Sequence, residues 1–404
     1  MLTPYAVNRY APRDVRAGVA LCLSGGGFRA ALFHLGALRR LNELDVLRNI
    51  DTIRSVSGGS TIAAWLAYNH HHWHQGPCAP DVWDREISAP FRTFTSRNLS
   101  TPAVLTQFWH WRSNFAIEAF GRACDPLCPM TLGQLPPRPN FQFCATELVG
   151  GKQYAFERGG PESGWRVGQA VAISSALPLI FLRPFRDAAQ DRIMVDGGVG
   201  DNRGIEPVWQ THDTLLVSDG GEVLRAHWSP WFFYGLLRSS QVLLASMQEV
   251  QKRWLIGLLS GQLRGAYWST GSVPAHYRHD PAVPPYGYSE SLVRDVIATI
   301  RTKYDVFTPD EAAVLENHGY ILADIAIRTH ASGLVGVNAA LHIPHPASMS
   351  DAKMREALRE SSSSPVMGHG WLPACLRSIC GIREPLVPLP APHSVDVNPS
   401  SLPT

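Results

Sequence analysis

The sequence predicts an α/β fold in which a mainly parallel central sheet is covered by helices on both faces. Two similar units follow each other along the chain. A buried strand at 18–23 leads through a glycine loop into a helix, and a strand at 50–56 leads through a Ser-Gly turn into a helix at 61–68. This order of elements is typical of a covered parallel sheet. A chain of 404 residues, 45% of them hydrophobic, can bury a large core.

The elements are predicted from the spacing of apolar residues. Leucines recur at three-residue steps from position 32 to 44, which indicates the first helix. Thr308 can cap a later helix, with Pro309 in its first position and Glu311 completing a capping box. Further predicted elements are strands at 141–148, 192–195 and 214–218, a short helix at 168–177 and an amphipathic helix at 231–259.

Composition excludes several classes of protein. A net charge of +2 without a dense basic patch gives no case for nucleic-acid binding. Seven scattered cysteines do not form a disulfide framework, and we interpret Cys124 and Cys128 as ordinary thiols. Residues 1–17 do not resemble a signal peptide, and no apolar stretch has the length of a transmembrane helix. We therefore expect a cytoplasmic or peripheral membrane protein.

A candidate nucleophile lies at the turn after the second strand. Ser57 is followed by Gly58 and Gly59, and a serine on a sharp strand-to-helix turn presents its hydroxyl at the positive end of the helix. Small neighbours let a substrate carbonyl approach closely. Ser55 stands where the usual G-x-S-x-G motif has its first glycine, and a plain Ser/Gly turn remains an alternative.

A glycine loop precedes the first helix. Its residues Ser24, Gly25, Gly26 and Gly27 open the helix, so that free N–H groups converge on one point that suits a phosphate or an oxyanion. The spacing approaches a dinucleotide motif, but the acidic residue expected at the end of the second strand is absent, and no P-loop Lys follows. We expect no cofactor.

Two aspartates compete for the role of a base. Asp196 and Asp219 each follow a predicted strand and precede two glycines. An Asp-Gly pair is also a common loop cap. The local chemistry leaves both open.

Together these motifs resemble the patatin-like phospholipase family. The similar segments are 21–41, 54–66, 141–148, 170–181 and 194–207, and the loop at 24–30 also looks like the glycine loop of cytosolic phospholipases. The resemblance implies a patatin-like three-layer fold with a mainly parallel sheet. It also implies a lipid acyl hydrolase, of phospholipase or lysophospholipase type, that uses a Ser–Asp dyad, forms an acyl-enzyme and requires no metal.

The resemblance assigns roles to individual residues. Ser57 matches the nucleophile, and Asp196 matches the base because it begins Asp-Gly-Gly followed by Asp201-Asn202, whereas Asp219 matches a structural strand end. The segment 172–178 is similar to one that packs beside the dyad. The oxyanion hole is predicted at Gly25, Gly26, Gly27 and Arg29, and supporting glycines at Gly58, Gly59, Gly197 and Gly198. Ser55 and Ala30 depart from the family pattern by small side chains.

The same interpretation divides the chain into parts. Residues 1–17 are an N-terminal extension, 18–220 a patatin-like catalytic core with a cap insertion at 70–140, and 221–345 a helical C-terminal part of the same domain. Residues 346–404 are rich in Ser and Pro and are predicted to be a partly disordered tail.

Other functions remain open at this stage. A Ser–His–Asp esterase would need a late histidine such as His318, and a catalytically silent lipid-binding or scaffold protein could keep the same fold. The cluster from His70 to His74 suggests a metal site, but a solvated loop is the simpler interpretation. The helix at 231–259, with apolar anchors at Trp228, Trp231, Phe232 and Phe233, suggests peripheral membrane contact as an alternative to core packing.

Overall fold

A mixed sheet forms the centre of the computed structural model. The structure describes residues 15–102, 114–178, 180–221, 234–277 and 286–362. Within them eight strands join one sheet: β1 (Val19–Leu23), β2 (Thr52–Val56), β3 (Asn140–Glu147), β4 (Lys152–Phe156), β5 (Phe185–Asp187), β6 (Arg192–Asp196), β7 (Thr214–Asp219) and β8 (Arg264–Ser269). The order is β5-β6-β3-β2-β1-β7-β8, with β4 also paired to β3. Strands β3, β2, β1, β7 and β8 are parallel, while β4, β5 and β6 add antiparallel pairs.

Helices connect the strands and cover the sheet. They are α1 (Gly27–Glu43), α2 (Gly58–Tyr68), α3 (Pro80–Trp83), α4 (Ala89–Thr95), α5 (Phe115–Cys124), α6 (Val167–Ser174), α7 (Gly198–Asp201), α8 (Val208–Thr211), α9 (Tyr234–Leu259), α10 (Glu290–Asp295), α11 (Pro309–His330) and α12 (Asp351–Ala357). A π-helical segment, Asp84–Ser88, joins α3 to α4. At α11 the predicted capping box is present, with Thr308 and Glu311 bonded reciprocally.

Alternate residues of β1 show that both faces of the sheet are covered. Leu21 and Leu23 join the large apolar cluster formed with α1, α2 and α11. Ala20 and Cys22 point to the other face and pack with residues around α8 and with Leu255 of α9. A period of two along a buried strand places neighbouring side chains on opposite faces. The prediction of a three-layer α/β fold is confirmed.

Three strands were not predicted from the sequence. β4 is a short antiparallel strand beside β3, and β5 is a short antiparallel edge strand beside β6. β8 falls within the part expected to be helical. The amphipathic helix is found at Tyr234–Leu259, and the proposed anchors at 228 and 231–233 lie outside the described residues. The same holds for residues 1–14 of the N-terminal extension and for 363–404 of the predicted tail.

Candidate active site

The carboxyl ends of β2 and β6 meet on one side of β3. Val56, the last residue of β2, pairs with Cys144, and Asp196, the last residue of β6, pairs with the next residue, Ala145. β4 pairs with the same part of β3, so β2 and β6 must share its other flank. Because β2 is parallel and β6 antiparallel to β3, the two ends point at each other. The turn after β2 therefore lies beside Asp196.

Ser57 occupies that turn in a conformation that few residues adopt. Its φ of 50° and ψ of −114° place it in a region disfavoured for residues with a side chain, and α2 begins at the next residue. The Ser57 N–H donates to the hydroxyl of Ser174 at 3.0 Å. Strain held by such contacts is common where a nucleophile must project from a turn.

Ser55 stands where the G-x-S-x-G motif has its first glycine, and it fits there because this residue belongs to β2. Ser55 is fully buried, its hydroxyl donates to the carbonyl of Gln142 at 3.2 Å, and it accepts from Ser60 at 3.1 Å. Its φ is not positive. Glycine is therefore not required here, and the side chain joins a hydroxyl network beneath the nucleophile turn.

The glycine loop packs directly against the nucleophile turn. A Cβ at Gly58 would overlap the carbonyl oxygen of Gly27, and a Cβ at Gly25 would approach the Cβ of Ser57 to 3.1 Å. Gly26 and Gly27 have φ values of 142° and 58°. This close fit brings the start of α1 to the hydroxyl of Ser57.

The three glycines differ in what their N–H groups do. Gly25 donates to the carbonyl of Asn202 at 3.0 Å, so its N–H is already used within the fold. No acceptor for the N–H groups of Gly26 and Gly27 is found in the described part of the chain. Two donors at the head of α1 are thus available to an acceptor atom of a ligand.

Arg29 does not line this hole. Its guanidinium is fully buried and donates to the carbonyls of Ala298 at 3.1 Å and Ile300 at 2.9 Å. It also donates to the carbonyls of Gly220, at 2.8 Å, and Gly221. The side chain ties the first turn of α1 to two neighbouring loops, so its contribution to the oxyanion hole is indirect.

A buried histidine also supports the loop. His34 on α1 lies 3.0 Å from the carbonyl of Ser24 through Nε2 and 2.7 Å from the hydroxyl of Ser218 through Nδ1. A carbonyl only accepts, so Nε2 carries the proton. Burial lowers the pKa of His34 to about 4, which keeps the ring neutral.

Asp196 is the acidic group beside the Ser57 hydroxyl. It is 3% exposed, and burial raises the pKa of its carboxyl from 3.8 to about 7. The N–H of Gly198, which donates at 2.7 Å, and the nearby Ser57 hydroxyl offset part of this rise. A carboxylate desolvated in this way is a stronger base than an exposed one.

Asp219, the competing aspartate, is held in an ion pair. Its carboxylate accepts from Arg203 at 2.6 Å, from the hydroxyl of Tyr267 at 2.8 Å and from the N–H of Gly221 at 2.9 Å. Although burial raises its pKa, the charge of Arg203 and these donors hold the pKa of Asp219 well below its ordinary value. Its geometry is that of a structural strand end.

The loop after β6 is fixed by Asp201. Its carboxylate accepts from the N–H groups of Arg203 and Gly204 at 3.0 Å and of Glu206 at 2.9 Å. The next residue, Asn202, supplies the carbonyl that holds Gly25. The Asp-Asn pair thus joins the loop of Asp196 to the glycine loop.

The segment 172–178 packs beside both candidate catalytic residues. Ser174 holds the backbone of Ser57, and the carbonyl of Ala176 accepts the N–H of Asp196 at 3.1 Å. Ser175 lies 2.8 Å from the hydroxyl of Tyr304, which in turn lies 3.3 Å from the Ser57 hydroxyl. Tyr304 was not identified from the sequence, because it belongs to no motif.

The histidines weighed as alternatives lie elsewhere. His318 is fully buried on α11, 3.1 Å from the carbonyl of Thr270, and burial lowers its pKa to about 4. In the part of the chain that the structure describes, no histidine ring is hydrogen-bonded to Ser57. His70 and His74 stack on each other at 4.5 Å, and no group of three metal-ligating side chains occurs within the described ranges.

Three further observations concern a cavity, the helices and the cysteines. A cavity of about 850 Å³ lies at the opposite edge of the sheet, where β7 and β8 begin, and neither Ser57 nor Asp196 lines it. In the described segments, no helix has both the length and the apolar character that crossing a bilayer requires. Cys124 and Cys128 are free buried thiols.

Residues 21–209 match the family model of the patatin-like phospholipases. VipD from Legionella pneumophila is 15% identical with a TM-score of 0.35, over 79% of this chain and 68% of that chain. Human GIVD cytosolic phospholipase A2 is 12% identical with a TM-score of 0.43, over 80% of this chain and 60% of that chain. None of the curated proteins matches. At these values neither structure assigns a role to a residue here.

Proposed function

We propose, from the membership of residues 21–209 in the patatin-like phospholipase family, that this protein hydrolyses carboxylic esters of lipids through an acyl-Ser57 intermediate. Asp196 is the base, and the N–H groups of Gly26 and Gly27 form the oxyanion hole. The family supports lipid hydrolysis at the level of substrate class. Phospholipids and lysophospholipids are the substrates we expect.

The reaction divides into two displacements. Asp196 accepts the proton of Ser57 while the Ser57 oxygen bonds to the ester carbonyl carbon. Gly26 and Gly27 donate to the resulting oxyanion, and losing one such donor typically costs about 3 kcal/mol. Asp196 then returns the proton to the departing alcohol. In the second displacement Asp196 takes a proton from water, the hydroxide releases the fatty acid, and Ser57 recovers its proton.

One observation carries the proposal. Among the described residues, Asp196 is the carboxyl group beside the Ser57 hydroxyl, and its pKa is raised to about 7. A base with a pKa near the working pH combines a useful ionised fraction with a useful basicity. Asp219, committed to Arg203, has neither the position nor the basicity.

The test is activity on a panel of phospholipids and lysophospholipids. Ser57→Ala and Asp196→Asn should each abolish release of fatty acid while circular dichroism and thermal unfolding show a folded protein. Wild type should also react with a fluorophosphonate, and Ser57→Ala should not. Activity retained in either purified variant would refute the dyad.

The same panel separates the alternatives. A Ser–His–Asp esterase would lose activity in His318→Gln. The dyad instead predicts that the folded His318→Gln protein keeps wild-type activity. A catalytically silent lipid-binding protein would bind vesicles without releasing fatty acid, and its Ser57 would not react with the fluorophosphonate. Neither alternative is favoured by the contacts of Ser57.

We further propose that the exposed face of α9 contacts an anionic membrane. The helix passes the loop of Asp196, since Arg203 donates to the carbonyl of Gln248 at 2.7 Å and Gln251 donates to that of Gly200 at 3.3 Å. Among the helix residues whose burial the structure describes, Leu255 is the only buried one, and it lies beyond this point. Its earlier part therefore extends past the candidate active site.

The exposed face of this helix combines apolar and basic residues. Leu243 is 70% exposed and Val250 63% exposed, well above the exposure expected for core-packing positions. Arg238 and Arg253 add basic charge, and Glu249 is the only acidic residue of the helix sequence. Lys252 lies over the Tyr267 ring instead. Apolar insertion with basic flanks is how interfacial helices bind anionic lipid.

Vesicle flotation tests the membrane contact. A double change, Leu243→Ser with Val250→Ser, should weaken binding to phosphatidylserine-containing vesicles without affecting hydrolysis of a monomeric short-chain ester. Exposed Val337→Ser, far along the chain, serves as the matched control. Unchanged flotation of the double variant would refute this contact and leave the catalytic proposal standing.

A further inference from the structure

The hydroxyl group of Tyr304 lies within hydrogen-bonding distance of the candidate nucleophile, Ser57. Its oxygen lies 3.3 Å from the Ser57 oxygen and 2.8 Å from the Ser175 oxygen. The residue is 5% exposed and comes from a loop between α10 and α11, outside the segment that matches the family. None of the roles assigned above uses it.

The direction of these hydrogen bonds follows from the acceptor at the end. Asp196 lies beside the Ser57 hydroxyl, and an ionised carboxylate can only accept, so the reactive arrangement directs the Ser57 proton to Asp196. In that arrangement the Ser57 oxygen accepts from Tyr304, and the Tyr304 oxygen accepts from Ser175. The three hydroxyl groups can therefore donate in one direction, toward Asp196.

The ring of Tyr304 is held independently of its hydroxyl group. Phe28 and Phe120 pack edge-on against it, with ring centroids 5.1 Å and 5.0 Å away. Its backbone carbonyl accepts from the N–H groups of Leu99 at 2.9 Å and Ser100 at 3.2 Å. Burial raises the pKa of Tyr304 far above neutrality, so the phenol keeps the proton that it donates.

We propose that Tyr304 is a positioning residue of the reaction: its hydroxyl group fixes the Ser57 oxygen with the proton aimed at Asp196. This inference rests on the Ser–Asp hydrolysis proposed above. A serine hydroxyl rotates freely unless its oxygen is also held, and a donor on the second side selects the reactive orientation. Hydrogen bonds in one direction also polarise each other, which strengthens the bond from Ser57 to Asp196.

The decisive variant is Tyr304→Phe, which keeps the ring and removes only the hydroxyl group. We expect kcat and the fluorophosphonate labelling rate of Ser57 to fall about tenfold, the usual cost of one such hydrogen bond, while KM changes less than twofold. Ser175→Ala should have a smaller effect in the same direction. The control is Tyr288→Phe, another buried tyrosine, whose hydroxyl group is bonded to Ser348 and Asn317. It should label at the wild-type rate.

The pH profile separates positioning from a merely structural role. When the three hydroxyl groups are all present, the proton that Ser57 donates favours the ionised form of Asp196. Loss of the Tyr304 hydroxyl group should therefore shift the acidic limb of kcat/KM to higher pH, whereas Tyr288→Phe should leave it in place. Thermal unfolding of each variant monitors folding.

Each outcome has one meaning. Labelling of wild type with no labelling of Ser57→Ala upholds the nucleophile. If Tyr304→Phe then labels as fast as wild type and keeps its acidic limb, the positioning role is wrong while the hydrolase proposal stands. If wild type itself neither labels nor releases fatty acid, the proposed function is wrong, and the role proposed for Tyr304 is wrong with it.

Discussion

Asp196 and Asp219 should respond in opposite directions when their charges are removed. Each is a buried aspartate at a strand end, 3% exposed, yet only Asp219 is paired with a cation. Burial without a paired cation makes the charged form of Asp196 unfavourable, so the folded state holds its proton more tightly than the unfolded chain does. Asp196→Asn removes this charge and keeps the shape of the side chain.

The size of the effect follows from the pKa of Asp196. Below pH 3.8 the carboxyl is neutral in both states and contributes nothing. Between 3.8 and about 7 the unfolded chain ionises while the folded protein stays protonated, so the free energy of unfolding falls as the pH rises. A rise in pKa from 3.8 to about 7 corresponds to about 4 kcal/mol above pH 7. At about 2.1 cal/mol/K per residue, this equals about 5 °C in Tm.

The matched variant, Asp219→Asn, should do the opposite. The pKa of Asp219 is lowered, so its contribution to stability is present above the unfolded pKa of 3.8 and is lost as the pH falls. Removing its charge leaves the Arg203 guanidinium buried without its partner. Breaking a buried pair in this way typically costs about 3–5 kcal/mol.

Thermal unfolding at pH 4.5 and pH 8.5 measures both effects. Asp196→Asn should be inactive but more stable than wild type at pH 8.5, and this advantage should shrink strongly at pH 4.5. Asp219→Asn should be less stable than wild type at pH 8.5. If Asp196→Asn lowers the Tm at pH 8.5, then the carboxylate is not penalised by burial and the reasoning that makes it a base fails.

Three other predictions concern the same site. Because the proposed mechanism uses ionised Asp196, kcat/KM should fall about tenfold per pH unit below pH 7, and a plateau reaching down to pH 5 would contradict this. Gly58→Ala should slow fluorophosphonate labelling of Ser57 more than tenfold, since its Cβ would overlap the Gly27 carbonyl, whereas Gly76→Ala, which meets open space, should not. Gly220→Ala should destabilise the protein, because its Cβ would overlap both the methyl group and the Cα of Ala30, and a Tm equal to that of wild type would contradict this.

Much of the fold could be predicted because its signals are local. The buried strand and glycine loop before α1, and the capping box of Thr308 and Glu311, depend only on nearby residues, and the structure has these elements within two or three positions of the prediction. β8 was missed because its sequence, Arg-Gly-Ala-Tyr-Trp-Ser, is short and lacks a clear period. It becomes a strand by pairing with β7.

Residues supplied by distant parts of the chain could not be found in this way. Tyr304 is separated from Ser57 by 247 positions and lies in a loop without regular spacing. The role of Arg29 could not be predicted either, because its guanidinium donates to carbonyls in the distant loops at 220–221 and 298–300. A charged residue beside a glycine loop has the same local sequence whether it faces an oxyanion or the backbone behind it.

The choice between the two aspartates shows what a strand adds to a motif. Both occur as Asp-Gly-Gly after a strand, and both strands end near the glycine loop. β7 is parallel to β1, so Asp219 ends beside a neighbouring strand end and can be paired with Arg203 from the loop that follows Asp196. β6 is antiparallel to β3 and lies on the same side of β3 as β2. Its last residue therefore ends beside the turn of Ser57. The direction of one short strand, which no local pattern encodes, therefore places Asp196 beside the turn of Ser57 and keeps Asp219 away from it.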